Sequence, residues 1–204
     1  MSLKSKLTIM FLIIALVPTI FVGFLAFGSF RQSVTESKLN HLQDILTFKV
    51  DQLEMYFDRL RTNIEIAHDR YFIRRDLAWL AKEPNNPQAA DTLKIIGQQM
   101  KTTQSALAKQ AVDDILLLSL DGRVLYSIRA EHHFGNMSQT NKFQQAAFEQ
   151  GKKGTYLSEV YYDNIDDRFE MMVTAPVLDY NNILVGVIVF EVDMVGAYDI
   201  VEEP

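Results

Sequence analysis

The chain has 204 residues, 48% of them apolar and 23% charged, with a formal net charge of −6 and no cysteine. This composition excludes a disordered tail, and the missing cysteines exclude a disulfide scaffold, a thiolate metal site and a cysteine nucleophile. The acidic balance argues against a nucleic-acid partner, because neutralising phosphates needs a surplus of Lys and Arg. The charge is uneven: residues 1–30 contain Lys4, Lys6 and no acid, so the other 174 residues carry 18 bases against 26 acids.

Residues 7–30 are a run of 24 residues without a formal charge. As a helix this run spans about 36 Å, enough for a hydrocarbon core of about 30 Å. Pro18 lies in its middle, where a lipid-embedded helix tolerates proline. A cleaved signal peptide is the alternative, suggested by the small residues Ala26 and Gly28, but its apolar core is only about 7–15 residues long. The sequence predicts a retained membrane anchor.

The orientation of this anchor follows from the flanking charges. Lys4 and Lys6 precede the run, whereas Arg31, Lys38 and Lys49 follow it, so the positive-inside count is nearly balanced. The short basic tail, residues 1–6, favours a cytoplasmic N-terminus. We therefore expect one pass through a bacterial inner membrane, with residues 31–204 periplasmic or extracellular.

A long helix is predicted for residues 31–82, which contain no proline and no glycine. Two interleaved sets recur every seven residues, as in a coiled-coil seam: Leu39, Leu46, Leu53, Leu60 and Ala67, with Gln43, Val50, Phe57, Ile64 and Tyr71. One interpretation is an amphipathic helix lying on its own domain. The other is a parallel stalk that forms a homodimer through residues 39–71. The two are compatible if the N-terminal part is the stalk and the C-terminal part packs on the domain.

The remainder of the chain predicts an α+β module. Pro84 and Pro87 end the long helix, and a second helix is expected at 88–112. Five strands with a short helix at 140–150 follow, the strands at 115–120, 124–129, 155–162, 168–177 and 183–192. Short connections, including a hairpin at Asp121-Gly122, imply antiparallel neighbours. The predicted fold class is α+β: a transmembrane helix, a stalk helix, and a five-stranded antiparallel sheet with flanking helices.

A family resemblance is carried by three segments that follow the membrane helix and the long helix: DILLLSLDGRVLYSI, HFGNMSQTNKFQQAAFEQGKKGTYLSEVYYD and FEMMVTAPVLDYNNILVGVIVFEVDM. Together they resemble the membrane-distal half of a double Cache (PAS-like) sensor domain. Such domains are the extracytoplasmic input of bacterial chemoreceptors, sensor histidine kinases and membrane-bound nucleotide cyclases. The resemblance implies that residues 83–194 are the sensor module and that residues 195–204 begin a connection to a downstream region. It also implies a small-molecule ligand over the sheet, framed by the loop and helix after the second strand.

The amino-acid-binding members of that family have an arginine followed by aromatic residues two and three positions later. Here Thr140 stands in place of the arginine and Lys142 in place of the first aromatic residue, so a carboxylate ligand loses its bidentate partner. We therefore do not predict amino-acid binding, although Lys142 or Arg129 can supply a point charge.

Six residues are candidates for ligand binding: Tyr126, Lys142, Phe143, Tyr161, Asp163 and Glu191. Each of them also fits a plain core or surface role, because a sheet face needs aromatic side chains in any case. Glu191 is distinctive, because a carboxylate at the end of an otherwise apolar strand needs a partner or a ligand amine if it is buried.

The sequence shows no catalytic constellation, so we predict no enzyme activity, metal or cofactor for this chain. His132 and His133 are adjacent in a polar loop, and the acidic turn with Asp163, Asp166 and Asp167 lacks the glycine and closing glutamate of an EF-hand. The leading interpretation is the ligand-sensing input of a transmembrane signalling receptor, without its kinase, cyclase or chemoreceptor output region. The alternative is a membrane-anchored periplasmic structural protein that binds a protein partner and no small molecule.

Overall fold

The structure is a computed structural model that describes residues 3–83, 86–107, 111–129, 136–137, 140–164 and 166–202. The chain divides into two compact units, Met1–Asp51 and Gln52–Pro204. Helix α1, Leu3–His68, runs through the first unit and into the second. His132 and His133 lie outside the described residues.

The first unit is the N-terminal part of α1. Within the described residues, α1 is the one helix long and apolar enough to cross a membrane, with an 18-residue window of mean hydropathy 2.6 that is not buried. Pro18 lies inside the helix without ending it. Exposed apolar side chains continue beyond residue 30, including Leu39, Leu46 and Val50 of the predicted seam.

The C-terminal part of α1 belongs to the core of the second unit. Leu60, Ile64 and Ala67 are buried there, and Leu53 packs against the same core. Burial and then the charge of Asp193 raise the pKa of Tyr56 to about 12. These positions of the predicted dimer seam therefore pack within the chain's own domain.

The sequence predicted one unbroken helix to residue 82, and this prediction is wrong. Helix α1 ends at His68, and a separate helix α2 spans Tyr71–Lys82. The break is held by Arg74, whose Nε donates to the Leu178 carbonyl at 2.9 Å and whose Nη2 donates to the Asp179 carbonyl at 2.8 Å. These bonds fasten α2 to a turn of the sheet more than 100 residues away, and the break itself contains no proline or glycine.

The rest of the second unit consists of three further helices and one antiparallel sheet among the described residues. Helix α3 spans Ala89–Leu107, α4 spans Lys142–Gly151 and α5 spans Val195–Glu202. The strands are β1 (Val112–Leu118), β2 (Val124–Ser127), β3 (Tyr156–Leu157), β4 (Tyr161–Asp163), β5 (Arg168–Leu178) and β6 (Leu184–Asp193). All pair antiparallel in the order β2-β1-β6-β5-β3, with β4 also on β5. The α+β prediction is confirmed; the predicted strand 155–162 is divided into β3 and β4.

The two faces of the sheet carry different layers, because successive side chains of a strand point to opposite sides. The C-terminal part of α1, together with α2 and α3, covers one face, which includes Leu117, Val173 and Phe190. Helix α4 covers the other, here called the α4 face, where Ala147 and Phe148 meet the side chains of Leu116, Leu118, Met172, Val187 and Val189. Strand β6 lies between β1 and β5, in agreement with its apolar residues on both sides.

Candidate functional site

Three buried carboxylates lie at one end of the α4 face. Asp114 on β1 and Met172 on β5 are the cross-strand neighbours of Glu191 on β6. Glu170 precedes Met172 by two residues and so points to the same side. Asp114 is fully buried, and Glu170 and Glu191 are each only 2% exposed. Burying several acids together is costly unless cations or hydrogen-bond donors compensate, so this end of the sheet is the candidate site.

An aromatic pair lies at this end of the sheet, with its tyrosine beside two of these carboxylates. The rings of Phe143 on α4 and Tyr161 on β4 are stacked with centroids 5.8 Å apart and an interplanar angle of 10°. Tyr161 lies opposite Glu170, and its hydroxyl donates to the Glu170 Oε2 at 3.4 Å. Burial raises the pKa of Tyr161, and the negative charges of Glu191 and Glu170 raise it further. The tyrosine is therefore a neutral hydrogen-bond donor beside two acids.

The start of α4 is fixed by its N-cap. The Asn141 Oδ1 accepts from the backbone N–H groups of Phe143 at 3.0 Å and Gln144 at 2.9 Å, which satisfies two donors of the first turn. Lys142, the first helical residue, is exposed and places its Nζ 4.8 Å from the centroid of the Phe143 ring. Since the helix start is held in this way, both predicted residues lie at the edge of the candidate site.

The remaining predicted residues separate between the two faces. Asp163, at the end of β4, follows Tyr161 by two residues, and its charge contributes to the raised pKa of Glu170. Tyr126 on β2 lies on the opposite face, against α3, where a Cβ added at Gly97 would be 2.5 Å from the tyrosine hydroxyl. The structure therefore brings five of the six predicted residues to the α4 face and its rim, and Tyr126 is not among them.

Sequence reasoning missed the ion-pair cluster beside this site, which is centred on Arg168 at the start of β5. Its Nε donates to the Glu170 Oε1 at 2.7 Å. Its Nη2 donates to the Asp166 Oδ2 at 2.8 Å and also to Asp113, and its Nη1 donates to the Asp193 Oδ2 at 3.4 Å. We call these five residues the Arg168 cluster. One guanidinium thus joins carboxylates from β1, β5, β6 and the turn before β5.

Within this cluster, the carboxyl group of Glu170 has a clearly raised pKa. Burial raises the pKa of Glu170 to about 7; hydrogen bonding and charge from Arg168 lower it, while Glu191 and Asp163 raise it. The sequence did contain a signal, since the alternation along β5 places Glu170 on the same side as Met172. The partners of its carboxylate come from distant segments, however, and the alternation does not reveal them.

Arg129, considered from the sequence as a point charge for a ligand, is bound inside the protein. Its Nη1 donates to the Asp166 Oδ2 at 2.6 Å and also to Asp113. Asp114 fastens the same segment, because its side chain accepts from the Ser127 hydroxyl and, at 2.8 Å, from the Ile128 backbone N–H. These contacts anchor the chain where it leaves β2 and give Arg129 a structural role.

Carboxylate oxygens of Asp113, Asp166 and Glu170 lie within 4.8 Å of one another, close enough to bind a cation together. Arg168 donates to all three, so a guanidinium already supplies the positive charge that a metal would bring. The side chain of the neighbouring Asp167 accepts a hydrogen bond from the Tyr162 hydroxyl. The backbone of Asp167 has a positive φ of 55°. The acidic turn therefore stabilises local structure.

A surface cavity of about 460 Å³ borders the outer side of the Arg168 cluster. It is lined by Gln104, Ser105, Ala111, Val112, Asp113, Asp193 and Val195. None of the six predicted ligand residues lines it. The cavity exposes two carboxylates of the cluster to solvent, whereas Glu170 stays buried.

The fold is similar to solved structures of sensor domains. The extracellular domain of a histidine kinase, vpHK1S-Z8, has a TM-score of 0.59 and 13% identity, over 78% of this chain and 60% of that chain. The E. coli DcuS sensor domain has a TM-score of 0.52 and 12% identity, over 74% and 98%. The V. cholerae histidine kinase DctB sensor domain has a TM-score of 0.49 and 15% identity, over 75% and 59%. The chain thus spans about 60% of the length of the two histidine-kinase structures, which are a sensor domain and an extracellular domain.

No protein-family model and no curated protein matches the sequence. The structural likeness to vpHK1S-Z8 and DcuS nevertheless confirms the resemblance inferred from the sequence at the level of the fold. The second unit has the Cache-like fold of sensor domains.

Proposed function

We propose that this chain is the extracytoplasmic ligand-sensing input region of a bacterial transmembrane receptor, and that its ligand binds on the α4 face. The observation that supports this most is the stacked pair Phe143 and Tyr161, in which Tyr161 lies beside the buried acids Glu170 and Glu191. An aromatic wall beside fixed charges is typical of small-molecule sites. The Cache-like fold supports the same assignment.

The ligand class follows from the charges at the site. Glu170, Glu191 and Asp163 place negative charge around Tyr161, and Thr140 occupies the position of the arginine that a carboxylate ligand would need. An aromatic face attracts a cation, most strongly when both are shielded from water. The ligand that fits this site is a small organic cation such as a protonated amine.

Transmission requires the anchor and a second copy of the chain. In this proposal residues 7–30 cross the inner membrane, residues 1–6 are cytoplasmic and residues 31–204 are periplasmic or extracellular. Two copies pair through the exposed seam at residues 39–50, where Leu46 is 66% exposed. A ligand shifts such a dimer between two arrangements only if it binds one of them more tightly. A kinase, cyclase or chemoreceptor signalling region of the receptor then produces the output.

The experiment is a thermal-unfolding screen of the full chain in lipid nanodiscs. Ethylamine, 1,4-diaminobutane and choline are the cationic probes, and acetate and succinate are the anionic ones. A ligand at one hundred times its dissociation constant stabilises by about 2.7 kcal/mol, or roughly 5–10 °C for a chain of this size. We expect this shift with a cationic probe in the unaltered chain and in the exposed control Glu159→Gln, and its loss in Glu191→Gln. Stabilisation by the anions alone would contradict the cation assignment.

The second candidate function is a membrane-anchored protein that binds a protein partner. It is favoured by a row of exposed aromatic side chains, in which Phe169 lies 5.3 Å from Tyr162 and 6.4 Å from Tyr198, centroid to centroid. These side chains are 44–48% exposed. Under this alternative none of the five probes stabilises the chain, so the same screen distinguishes the two functions.

A further inference from the structure

Helix α5 is joined to the Arg168 cluster through one carboxylate. The Asp193 Oδ1 accepts from the Val195 backbone N–H at 2.9 Å and thereby caps the first turn of α5. Its Oδ2 accepts from the Arg168 Nη1 at 3.4 Å, longer than the 2.7–2.9 Å usual for a charge-assisted hydrogen bond. The position of Arg168 therefore affects how firmly the start of α5 is held.

The same guanidinium is shared with Glu170, which it contacts more closely, at 2.7 Å. Glu170 is on the α4 face, beside Tyr161 and two residues from Met172. A single arginine thus lies between the candidate ligand face and the helix that follows the last strand. Asp193 and Glu170 compete for its positive charge.

Charged and titratable groups surround Glu170 on every element packed against it. Among the described residues they are Arg168 on β5, Tyr161 and Asp163 on β4, Glu191 and Asp193 on β6, Asp113 and Asp114 on β1, Asp166 in the β4–β5 turn, and Arg129 after β2. The acids outnumber the arginines, so a proton taken up by Glu170 relieves repulsion within the group. Burial acts in the same direction.

We propose that Glu170 is a proton-controlled link between the α4 face and α5: when its carboxylate takes up a proton from solvent, Arg168 is released to bind Asp193 more tightly. The charged pairing of Glu170 with the Arg168 Nε then becomes a weaker neutral one. The guanidinium shifts toward Asp193, Asp166 and Asp113, and the 3.4 Å contact shortens. The first turn of α5 is consequently held more firmly in the protonated state. This inference goes beyond the ligand proposal and holds without it.

The pH range of this link is close to neutrality, because the pKa of Glu170 is raised to about 7. At pH 5.5 the carboxyl group is mostly neutral, and at pH 8.5 it is mostly ionised. A modest change of external pH therefore changes the charge of a group inside the module.

The test uses the absence of cysteine in the natural chain, because a single introduced cysteine is then a unique labelling site. Asp199→Cys on the exposed side of α5 receives a nitroxide, and the full chain in nanodiscs is followed by electron paramagnetic resonance from pH 5 to 9. We expect a less mobile label at acid pH, with a midpoint near 7. A label at Lys94→Cys, exposed on α3, is the control and is expected to show no such midpoint.

Glu170→Gln and the exposed Glu159→Gln form the matched pair of variants for the α5 label. In Glu170→Gln we expect the immobile acid form at every pH, whereas Glu159→Gln keeps the midpoint. All other titratable groups, including His68, are common to both. An α5 label without pH response, or the same midpoint in Glu170→Gln, would overturn the proposal.

Asp193→Asn provides a second test that does not depend on Glu170→Gln folding. It keeps a side-chain oxygen for the cap of α5 and removes the charge that Arg168 binds. We expect the α5 label to lose its pH response, while the pH dependence of unfolding contributed by Glu170 persists. A label that still responds in Asp193→Asn would show that α5 is not coupled through this carboxylate.

Discussion

Replacing Glu170 with glutamine is expected to remove a pH-dependent loss of stability. Burial raises the pKa of Glu170 from 4.5 to about 7 in the folded chain. Between these values the folded state binds a proton that the unfolded state has released, so the free energy of unfolding falls as the pH rises. The raised pKa corresponds to at most about 3 kcal/mol, at about 1.36 kcal/mol per pH unit. Glutamine resembles the protonated form and lacks this loss.

The assay is urea unfolding of the full chain in detergent micelles at pH 5, 6, 7 and 8, followed by the fluorescence of Trp79, the single tryptophan, which packs against the core. Between pH 5 and 8 the unaltered chain should lose up to about 3 kcal/mol relative to Glu170→Gln. Burial lowers the pKa of His68, which makes stability rise with pH, but this contribution is the same in both chains. Parallel stability curves for the two chains would show that Glu170 does not take up a proton in this range, and Glu159→Gln should follow the unaltered chain.

Five further substitutions test the packing, the cap of α4 and the proposed dimer seam. In Gly186→Ala the new Cβ would lie 2.7 Å from the Leu77 Cδ2 of α2, so we expect the free energy of unfolding in urea to fall by about 1–3 kcal/mol. Gly154→Ala is the control, because a Cβ there has nothing within 4 Å and should not cause this loss. Asn141→Ala removes the cap of α4 and should cost about 1 kcal/mol in the same assay. Leu46→Asp should weaken dimerisation measured by light scattering without changing the stability of the second unit, whereas Leu60→Ala, inside the core, should destabilise that unit by about 2–5 kcal/mol.

Periodicity in the sequence was sufficient to predict most of the sheet. Alternate residues of β5 lie on opposite faces of the sheet, as the alternation along a strand requires, and the strand with the apolar run before Glu191 is central, between β1 and β5. The Asp121-Gly122 turn is present with a Gly122 φ of 84°, a conformation that favours glycine. Each of these features is determined by residues that are adjacent in the sequence, so a single sequence is enough to predict it.

Features that depend on distant segments were not predictable. The break after His68 has no proline or glycine and is held by Arg74 across the fold. The face of Tyr126 follows from a register shift between Leu117 and Leu118, which composition does not reveal.

The same limit applied to the candidate site. Glu191, Tyr161 and Phe143 were predicted from their residue types and positions. The Arg168 cluster was missed, because Asp113 and Asp193 meet the guanidinium only after β1, β5 and β6 have paired. A single sequence carries no signal for such a meeting of residues 25 and 55 positions apart.

In the proposed function, binding of a small organic cation to the α4 face depends on Glu191. Its most direct test is isothermal titration of the full chain in nanodiscs with the amine probe that raises the unfolding temperature most, compared between the unaltered chain, Glu191→Gln and Glu159→Gln. We expect saturable binding whose affinity falls at least tenfold in Glu191→Gln and is unchanged in Glu159→Gln, because a shielded charge pair is costly to break. Equal affinity in all three chains, or no binding by any probe, would contradict this expectation.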